Sequence, residues 1–487
     1  MAFTTPTYII FLAVVFGFYW TVRRRAWQNG VLLLSSYLFY LTWDARFGAL
    51  LLATGVLDYV VGLGLGRVRR PAVRRMLLIV SLAGDLGALA FFKYFNFFSE
   101  SFRQFAQSIG WQTDPVLVKV LMPLGISFYT FKSVSYTIDV YRGQIEPTRN
   151  LIAYLTYVAF FPQIMAGPID RSGNLLRQLL AARQFSYPLA VDGCRQMLWG
   201  FFKKMVLADN LFPIVDRVFA TLTVSTGPSL ALALLLFAFQ IYCDFSAYSD
   251  LAIGAGKLLG FESVRNFAYP YFSTSPAEFW RRWHMSLMNW FRDYVYFPLA
   301  GKSASRIRRG AALLATFLLS GLWHGPSWNF VIWGGINGAA VLPSMFQRRK
   351  KQIAGKERRI LVSPKDLLKM LSTFAFFCLT LVFFRAATLS DAILILKRLF
   401  AEALHVRVYR SSLGILHPFN GYPLEKWQLA LLLAALVSVE WVQRKYEHPL
   451  TLDAWPRSAR WLAYTGIISL VLYFGTYIVQ EFYYFRF

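Results

Sequence analysis

Apolar runs recur from one end of the chain to the other, separated by short polar segments rich in arginine and lysine. Tyr8–Tyr19, Val31–Trp43, Phe47–Leu65 and Met76–Phe97 read as four spanning or near-spanning helices. Val116–Tyr136 and Leu151–Ala166 are also apolar, but Pro123-Leu124-Gly125 interrupts the first and Gly167-Pro168 follows the second. Both interruptions predict broken or re-entrant helices, because irregular backbone survives at membrane depth only in a protein interior or beside a cavity. Met197–Val206, Leu230–Tyr242, Ala311–Asn337, Leu371–Phe384, Leu429–Trp441 and Leu462–Ile478 complete the apolar set. Gln104–Asp114, Arg171–Gln184 and Ala401–Pro423 read as polar connections, the last carrying His405 and His417 as loop histidines. The pattern predicts an all-α polytopic membrane bundle of roughly a dozen helices, a single domain over residues 1–487 with no soluble domain. No fixed-period repeat and no matched pair of inverted halves of the secondary-transporter kind is visible.

One apolar run is set apart by a titratable side chain in its middle. In Ala311–Asn337, His324 lies fifteen residues beyond Arg309, about 22 Å along a helix at ~1.5 Å per residue. Arg306, Arg308 and Arg309 mark a membrane–water boundary, so His324 is expected deep within a hydrocarbon core about 30 Å thick. Gly325-Pro326 ends the helix, and Ser327 is placed to cap a second run, Trp328–Leu342. His324 thus falls at a break between two half-helices, and an ionisable group in that position is a functional candidate. The alternative is a buried histidine bonded to a neighbouring carbonyl.

A second histidine lies in Asn266–Pro298. Ser275-Pro276-Ala277-Glu278 has the form of a capping box with proline at the first helical position. The helix it opens, PAEFWRRWHMSLMNWF, would put Trp280, His284, Leu287 and Phe291 on one face and Arg281, Arg282 and Arg292 elsewhere. Such a cationic amphipathic helix is expected along the inner membrane surface or dipping into it, with His284 toward the protein. Asp244 and Asp250 lie beside the Leu230–Tyr242 span; general acid–base work by the pair competes with hydrogen bonding to nearby amides or arginines. Lys204, inside an apolar run, reads as snorkelling.

Composition narrows the class. The chain is 56% hydrophobic with a mean hydropathy of +0.44, which marks an integral membrane protein. The net charge of +26 does not point to nucleic acid, because the basic residues fall in short runs between apolar segments: Arg23–Arg25, Arg67–Arg75, Lys302–Arg309 and Arg348–Arg359. That is the distribution of cytoplasmic loops, which also meet anionic membrane lipids. Met1–Tyr8 carries no basic residue, so no cleavable signal is expected, and Arg23–Arg25 is placed inside. Cys194, Cys243 and Cys378 are too scattered for a disulfide framework or a metal box.

Taken together, several segments resemble the membrane-bound O-acyltransferase (MBOAT) family and, within it, the bacterial alginate O-acetylation branch. They are PLGISFYTFKSVSYTIDVYRG (Pro123–Gly143), FFPQIMAGPIDR (Phe160–Arg171), GFFKKMVLADNL (Gly200–Leu211), DFSAYSDLAIGAGKLLGF (Asp244–Phe261), EFWRRWHMSLMNWFRDYVYFPL (Glu278–Leu299) and LLSGLWHGPSWNFVIWG (Leu318–Gly334). They stand in the family's order over roughly residues 120–340, leaving 1–119 and 341–487 as flanking transmembrane helices. The likeness departs after Pro298-Leu299, where relatives usually continue Gly-Gly-Asn and this chain has Ala300-Gly301-Lys302-Ser303. The resemblance implies a helical bundle with a central tunnel, acyl transfer, His324 as the main catalytic residue and His284 as a second one. It also implies a bacterial inner-membrane location, with acetyl passed to periplasmic proteins that modify an exopolysaccharide such as alginate.

Acyl transfer to a hydroxyl needs a base and donors for the developing oxyanion. An imidazole with an ordinary pKa of about 6.5 suits the first task, so His324 is the expected general base and His284 a thioester-orienting donor or proton partner. Amides near Ser327–Asn329, at the start of the second half-helix, are candidate oxyanion donors. Arg281 and Arg282 would meet the phosphates of an acyl-CoA on the cytoplasmic side, and Trp280, Trp323, Asp244 and Asp250 complete the expected substrate contacts. No permanently bound cofactor is expected: acetyl-CoA is the expected donor, with an acyl carrier protein and D-alanyl transfer as the alternative. A transporter, or a silent scaffold of a polysaccharide export complex, competes with these readings. The scarcity of mid-membrane carboxylates counts against the transporter.

Overall fold

A computed structural model describes residues 1–112, 114, 121–301, 305–345, 362–402, 425–478, 480, 482 and 483. His405, His417, Lys302 and Ser303, and most of the basic loop after Gln347, lie outside the described residues. Among the described residues the secondary structure is helical, without strands. The chain divides into two compact units, one built chiefly from Pro6–Ala190 with Ala255–Val264, the other from Val191–Gly254 with Arg265–Phe487 and Ala2–Thr5.

The first unit contains α1 (Pro6–Thr21), α2 (Arg25–Leu41), α3 (Ala45–Arg67), α4 (Pro71–Leu89), α5 (Phe95–Ser108), α6 (Ile126–Tyr141), α7 (Leu151–Ala159) and α8 (Arg177–Leu180). A single π turn, Ala90–Tyr94, joins α4 to α5, so residues 71–108 form 38 residues of unbroken helix. The polar stretch that starts at Gln104 therefore begins inside a helix rather than in a loop. The expected break at Pro123-Leu124-Gly125 is present: Gly125 adopts φ +69°, a left-handed conformation that favours glycine, and α6 starts at the next residue. Arg171–Gln184, read as a loop, holds a π turn and α8 instead.

α6 is buried on nearly every face although its sequence is polar. Its Lys132 Nζ donates to the Tyr157 carbonyl at 3.1 Å and to Gln163 Oε1 at 2.9 Å. Gln163 Nε2 donates in turn to Asp170 Oδ2 at 2.6 Å. Buried polar groups require such partners, because an unmet donor or acceptor costs about 1–3 kcal/mol.

The second unit contains α9 (Tyr187–Phe201), α10 (Asp209–Ala220), α11 (Gly227–Leu258), α12 (Pro276–Arg282), α13 (Met285–Phe291), α14 (Phe297–Ala300), α15 (Arg306–His324), α16 (Trp328–Val341), α17 (Pro364–Arg385), α18 (Leu389–Ala401), α19 (Lys426–Gln443) and α20 (Arg457–Phe474), with α9 starting and α11 ending in residues of the first unit. Asp244 and Asp250 lie within the 32-residue α11, not beside a shorter span. Their partners are lysines from the π-helical turn Phe202–Ala208, not arginines. Lys203 Nζ is 2.7 Å from Asp250 Oδ2, and Lys204 Nζ is 2.8 Å from Asp244 Oδ1 and 2.7 Å from Asp209 Oδ1. Lys204 is 1% exposed, so it does not snorkel. Asp244 Oδ2 also accepts from the Tyr483 amide at 2.9 Å. Desolvating these charges is costly, and losing one partner of a buried pair typically costs about 3–5 kcal/mol.

Among the described residues, α3, the α4–α5 run, α11 and α17 are long and apolar enough to cross a membrane, and α1 and Trp427–Gln443 are shorter apolar helices. Carboxylates within these spans are less scarce than expected: Asp58, Asp85, Asp244 and Asp250 all lie in them.

Candidate active site

The second unit brings both histidines to one place. Ser305 caps α15 by accepting from the Arg308 amide at 3.2 Å, and the helix runs on to His324. Gly325 is extended at φ −165° and Pro326 cannot continue the ladder, so the helix ends there. Ser327 then caps α16, its Oγ accepting from the Asn329 amide at 3.3 Å. α15 and α16 pack with their backbones in contact, because Gly321 and Gly334 face one another. A Cβ built on Gly321 would come within 3.2 Å of the Gly334 Cα, with the Phe330 carbonyl closer still. Larger residues at these two positions would force the half-helices apart.

His324 is 2% exposed. Its ring meets those of Trp323 and Trp333 at 5.0 Å and Phe384 at 5.6 Å, all steeply inclined at 69–87°. Such an aromatic cage excludes water. The imidazole also sits at a helix C-terminus, where the dipole favours its protonated form. That position suits a base that becomes positively charged during reaction.

His284 is held differently. The expected continuous helix is broken into α12 and α13, with Trp283 and His284 between them. His284 has φ +45°, a left-handed conformation rare outside glycine, which costs about 1–3 kcal/mol and persists only where its surroundings enforce it. Asn266 supplies that enforcement. Its carbonyl accepts from the Met285 amide at 2.8 Å, and its side-chain Oδ1 lies 3.0 Å from His284 Nδ1 and accepts from Ser286 Oγ at 2.9 Å. Asn266 Nδ2 donates to Ser249 Oγ at 2.9 Å, which fixes the amide's orientation. Facing an acceptor oxygen, Nδ1 carries the ring proton. His284 itself lies outside the long apolar helices, and burial pushes its imidazole down to about 3, so the ring is neutral. The firm helix start is present, though shifted: Ser275 Oγ accepts from the Glu278 amide at 3.3 Å while Glu278 turns back to the Thr274 amide at 2.8 Å.

One indole joins the two rings. The Trp323 ring lies 6.0 Å from that of His284 and 5.0 Å from that of His324. Trp280 supports the cage from behind, packing on Trp333 at 5.4 Å and donating through Nε1 to Asn337 Oδ1 at 3.3 Å. Asn329 Nδ2 donates to the Ala386 carbonyl at 3.0 Å. Arg281 is exposed, whereas Arg282 pairs with Glu278 at 2.8 Å. The amides of Asn329, Phe330 and Val331 all donate to Ser327 atoms.

Asn266 is also on the wall of a small pocket lined by Lys203, Tyr242, Asp250, Arg265 and Glu440, among others. Asp250 thus belongs to this pocket, and Asp244 to the neighbouring lysine pairing. Asn266, Lys203, Glu440 and Trp333 were not singled out from sequence. Lys203-Lys204 within an apolar run was the available signal, since a buried lysine implies a buried carboxylate.

Comparison with known proteins places this architecture. Residues 144–384 match the family model for MBOAT, the membrane-bound O-acyltransferase family. The chain is 37% identical to the probable alginate O-acetylase AlgI of Azotobacter vinelandii, over 93% of this chain and 87% of that protein. The chain belongs to the membrane-bound O-acyltransferase family. It is 39% identical to the probable alginate O-acetylase AlgI of Pseudomonas aeruginosa over 80% of this chain and 73% of the relative. A peptidoglycan O-acetyltransferase of Helicobacter pylori is 31% identical over 82% and 79% of the two chains. The protein is therefore an O-acyltransferase and, like its family, an integral multi-pass membrane protein. Both histidines lie inside the matched region, within the part of the chain that the family shares.

Proposed function

We propose that this MBOAT protein moves an acetyl group from acetyl-CoA at the cytoplasmic face of a bacterial inner membrane toward O-acetylation of an exopolysaccharide such as alginate. The names of the alginate relatives support the polymer class. The observation that carries the chemistry is that two buried histidines flank one indole.

In this reading His324 removes the proton of the acceptor hydroxyl as its oxygen attacks the acetyl carbonyl. The helix end stabilises the imidazolium that forms. The collapsing intermediate expels the CoA thiolate, which takes that proton back as the thiol. A hydrogen-bonded Nδ1 leaves His284 with an acceptor nitrogen, Nε2, so this neutral ring orients the acceptor hydroxyl by accepting its hydrogen bond rather than acting as a thioester-orienting donor. With the Asn329, Phe330 and Val331 amides engaged by Ser327, the oxyanion donor is the Trp333 indole. Its buried Nε1–H has no hydrogen-bond partner among the described residues, and its ring is 5.0 Å from that of His324. Exposed Arg281 meets the phosphates of the donor's carrier. The acceptor arrives from the periplasmic side, carried by an acetyltransferase or acceptor protein of a polysaccharide modification complex.

The test uses purified full-length protein in liposomes with radiolabelled acetyl-CoA. Saturable binding or slow hydrolysis of acetyl-CoA, weakened in Arg281→Ala, supports the proposal. An interaction with an acyl carrier protein and none with acetyl-CoA would instead favour D-alanyl or other carrier-protein transfer to a cell-envelope polymer. The scaffold reading gains if deletion abolishes polymer acetylation but the purified protein engages neither donor.

A further inference from the structure

The first unit carries a buried acidic pair that the acyl-transfer chemistry does not use. α3 brings Asp58, 0% exposed, and α4 brings Asp85, 1% exposed, within hydrogen-bonding reach of each other. Asp58 Oδ1 accepts from Ser81 Oγ at 2.6 Å, and Ser81 Oγ lies 3.1 Å from Thr137 Oγ1 of α6. Three helices thus meet at this point.

Two ionised carboxylates would have nothing to give one another. Asp58 Oδ2 and both Asp85 oxygens are buried with no donor in good hydrogen-bond geometry, and the hydroxyls of Ser133 on α6 and Tyr154 on α7 are buried beside them. Among the described residues no lysine, arginine or histidine pairs with either carboxyl. Lys132, on the same helix as Ser133 and Thr137, is committed to the Tyr157 carbonyl and Gln163, and Arg74 of α4 donates to the Tyr141 carbonyl. The other titratable groups facing the pair are phenols, Tyr129 and Tyr136 of α6 and Tyr154 of α7. Adjacent like charges in a low-dielectric interior cannot both persist without a cation between them.

We propose that Asp58 and Asp85 form a proton-binding site that holds one shared proton between α3 and α4. Asp58 is the carboxylate, since Ser81 already donates to it, and Asp85 is the acid, its O–H donating to Asp58 Oδ2. The proton fastens α3, α4 and α6 within membrane-spanning helices, where an ionisable group carries functional weight. Both carboxyls are closed to solvent, so exchange of the proton requires these helices to part.

Infrared spectroscopy of the full-length protein in liposomes at neutral pH tests this by the C=O stretch of a protonated carboxyl. The natural protein should show that band, Asp58→Asn should keep it, and Asp85→Asn should lose it. Asp85→Asn puts an amide donor where the acid O–H stands, so it should melt within about 2 °C of the natural protein, with Asp85→Ala several degrees lower. No protonated-carboxyl band in the natural protein would overturn the proposal. So would a melting temperature of the natural protein that rises when sodium replaces choline, because the pair would then hold a metal cation.

Discussion

The two buried histidines share an aromatic setting but differ in what fixes the backbone and ring. His324 has three aromatic rings around it and a glycine-packed hairpin behind it. His284 is also ringed, by Phe245 at 4.6 Å, Trp323 at 6.0 Å and Phe267 at 6.4 Å, but it sits in a left-handed kink with its Nδ1 tied to Asn266. A ring whose Nδ1 is bound to an amide oxygen has a fixed tautomer and a fixed face. The difference separates a group that takes up charge during reaction from one that stays neutral and orients its surroundings.

Breaking the cage side should have the largest effect. His324→Ala should lower acetyl transfer by about 10²–10⁴-fold, the range for loss of a general base, while the protein stays folded and still binds acetyl-CoA. Trp333→Phe keeps the cage's shape and removes one N–H; initial rates should fall about 10²-fold in kcat with little change in KM. On the other side, Asn266→Ala leaves His284 Nδ1 without its acceptor. A cost of about 1–3 kcal/mol corresponds to roughly a 5- to 150-fold loss in kcat, with Asn266→Gln tested for rescue. Ser327→Ala removes only a cap and should lower stability by about 1 kcal/mol, read as a small drop in melting temperature.

A separate effect is on pH-dependent stability. With the His284 pKa depressed from 6.5 to about 3, the unfolded chain takes up a proton that the native site refuses. Stability should therefore be unaffected above pH 6.5 and fall progressively toward pH 3. Melting curves of His284→Gln should show a shallower fall over the same window.

The break after His324 was legible in sequence because Gly325, Pro326 and Ser327 act locally, each through its own backbone or side chain. The same local logic misread PAEFWRRWHMSLMNWF. Its residues are good helix formers, and the kink at His284 comes from Asn266, eighteen positions away. Asp244 and Asp250 were visible as a pair, but their lysine partners come from a π turn in a different segment. Ser327 caps α16 as its position implies, and that capping engages the Asn329 amide, one of those expected to face an oxyanion. Hydropathy likewise passed over Asp58 and Asp85, since a single carboxyl barely dents an apolar run. Only the meeting of α3 and α4 makes them a pair.

The most direct test of the central claim is single-turnover acetyl transfer by folded His324→Ala protein, with and without added imidazole. If His324 is the base, transfer falls by at least about 10²-fold, and imidazole restores part of it in proportion to its neutral form. Transfer at the natural rate without imidazole would contradict the account.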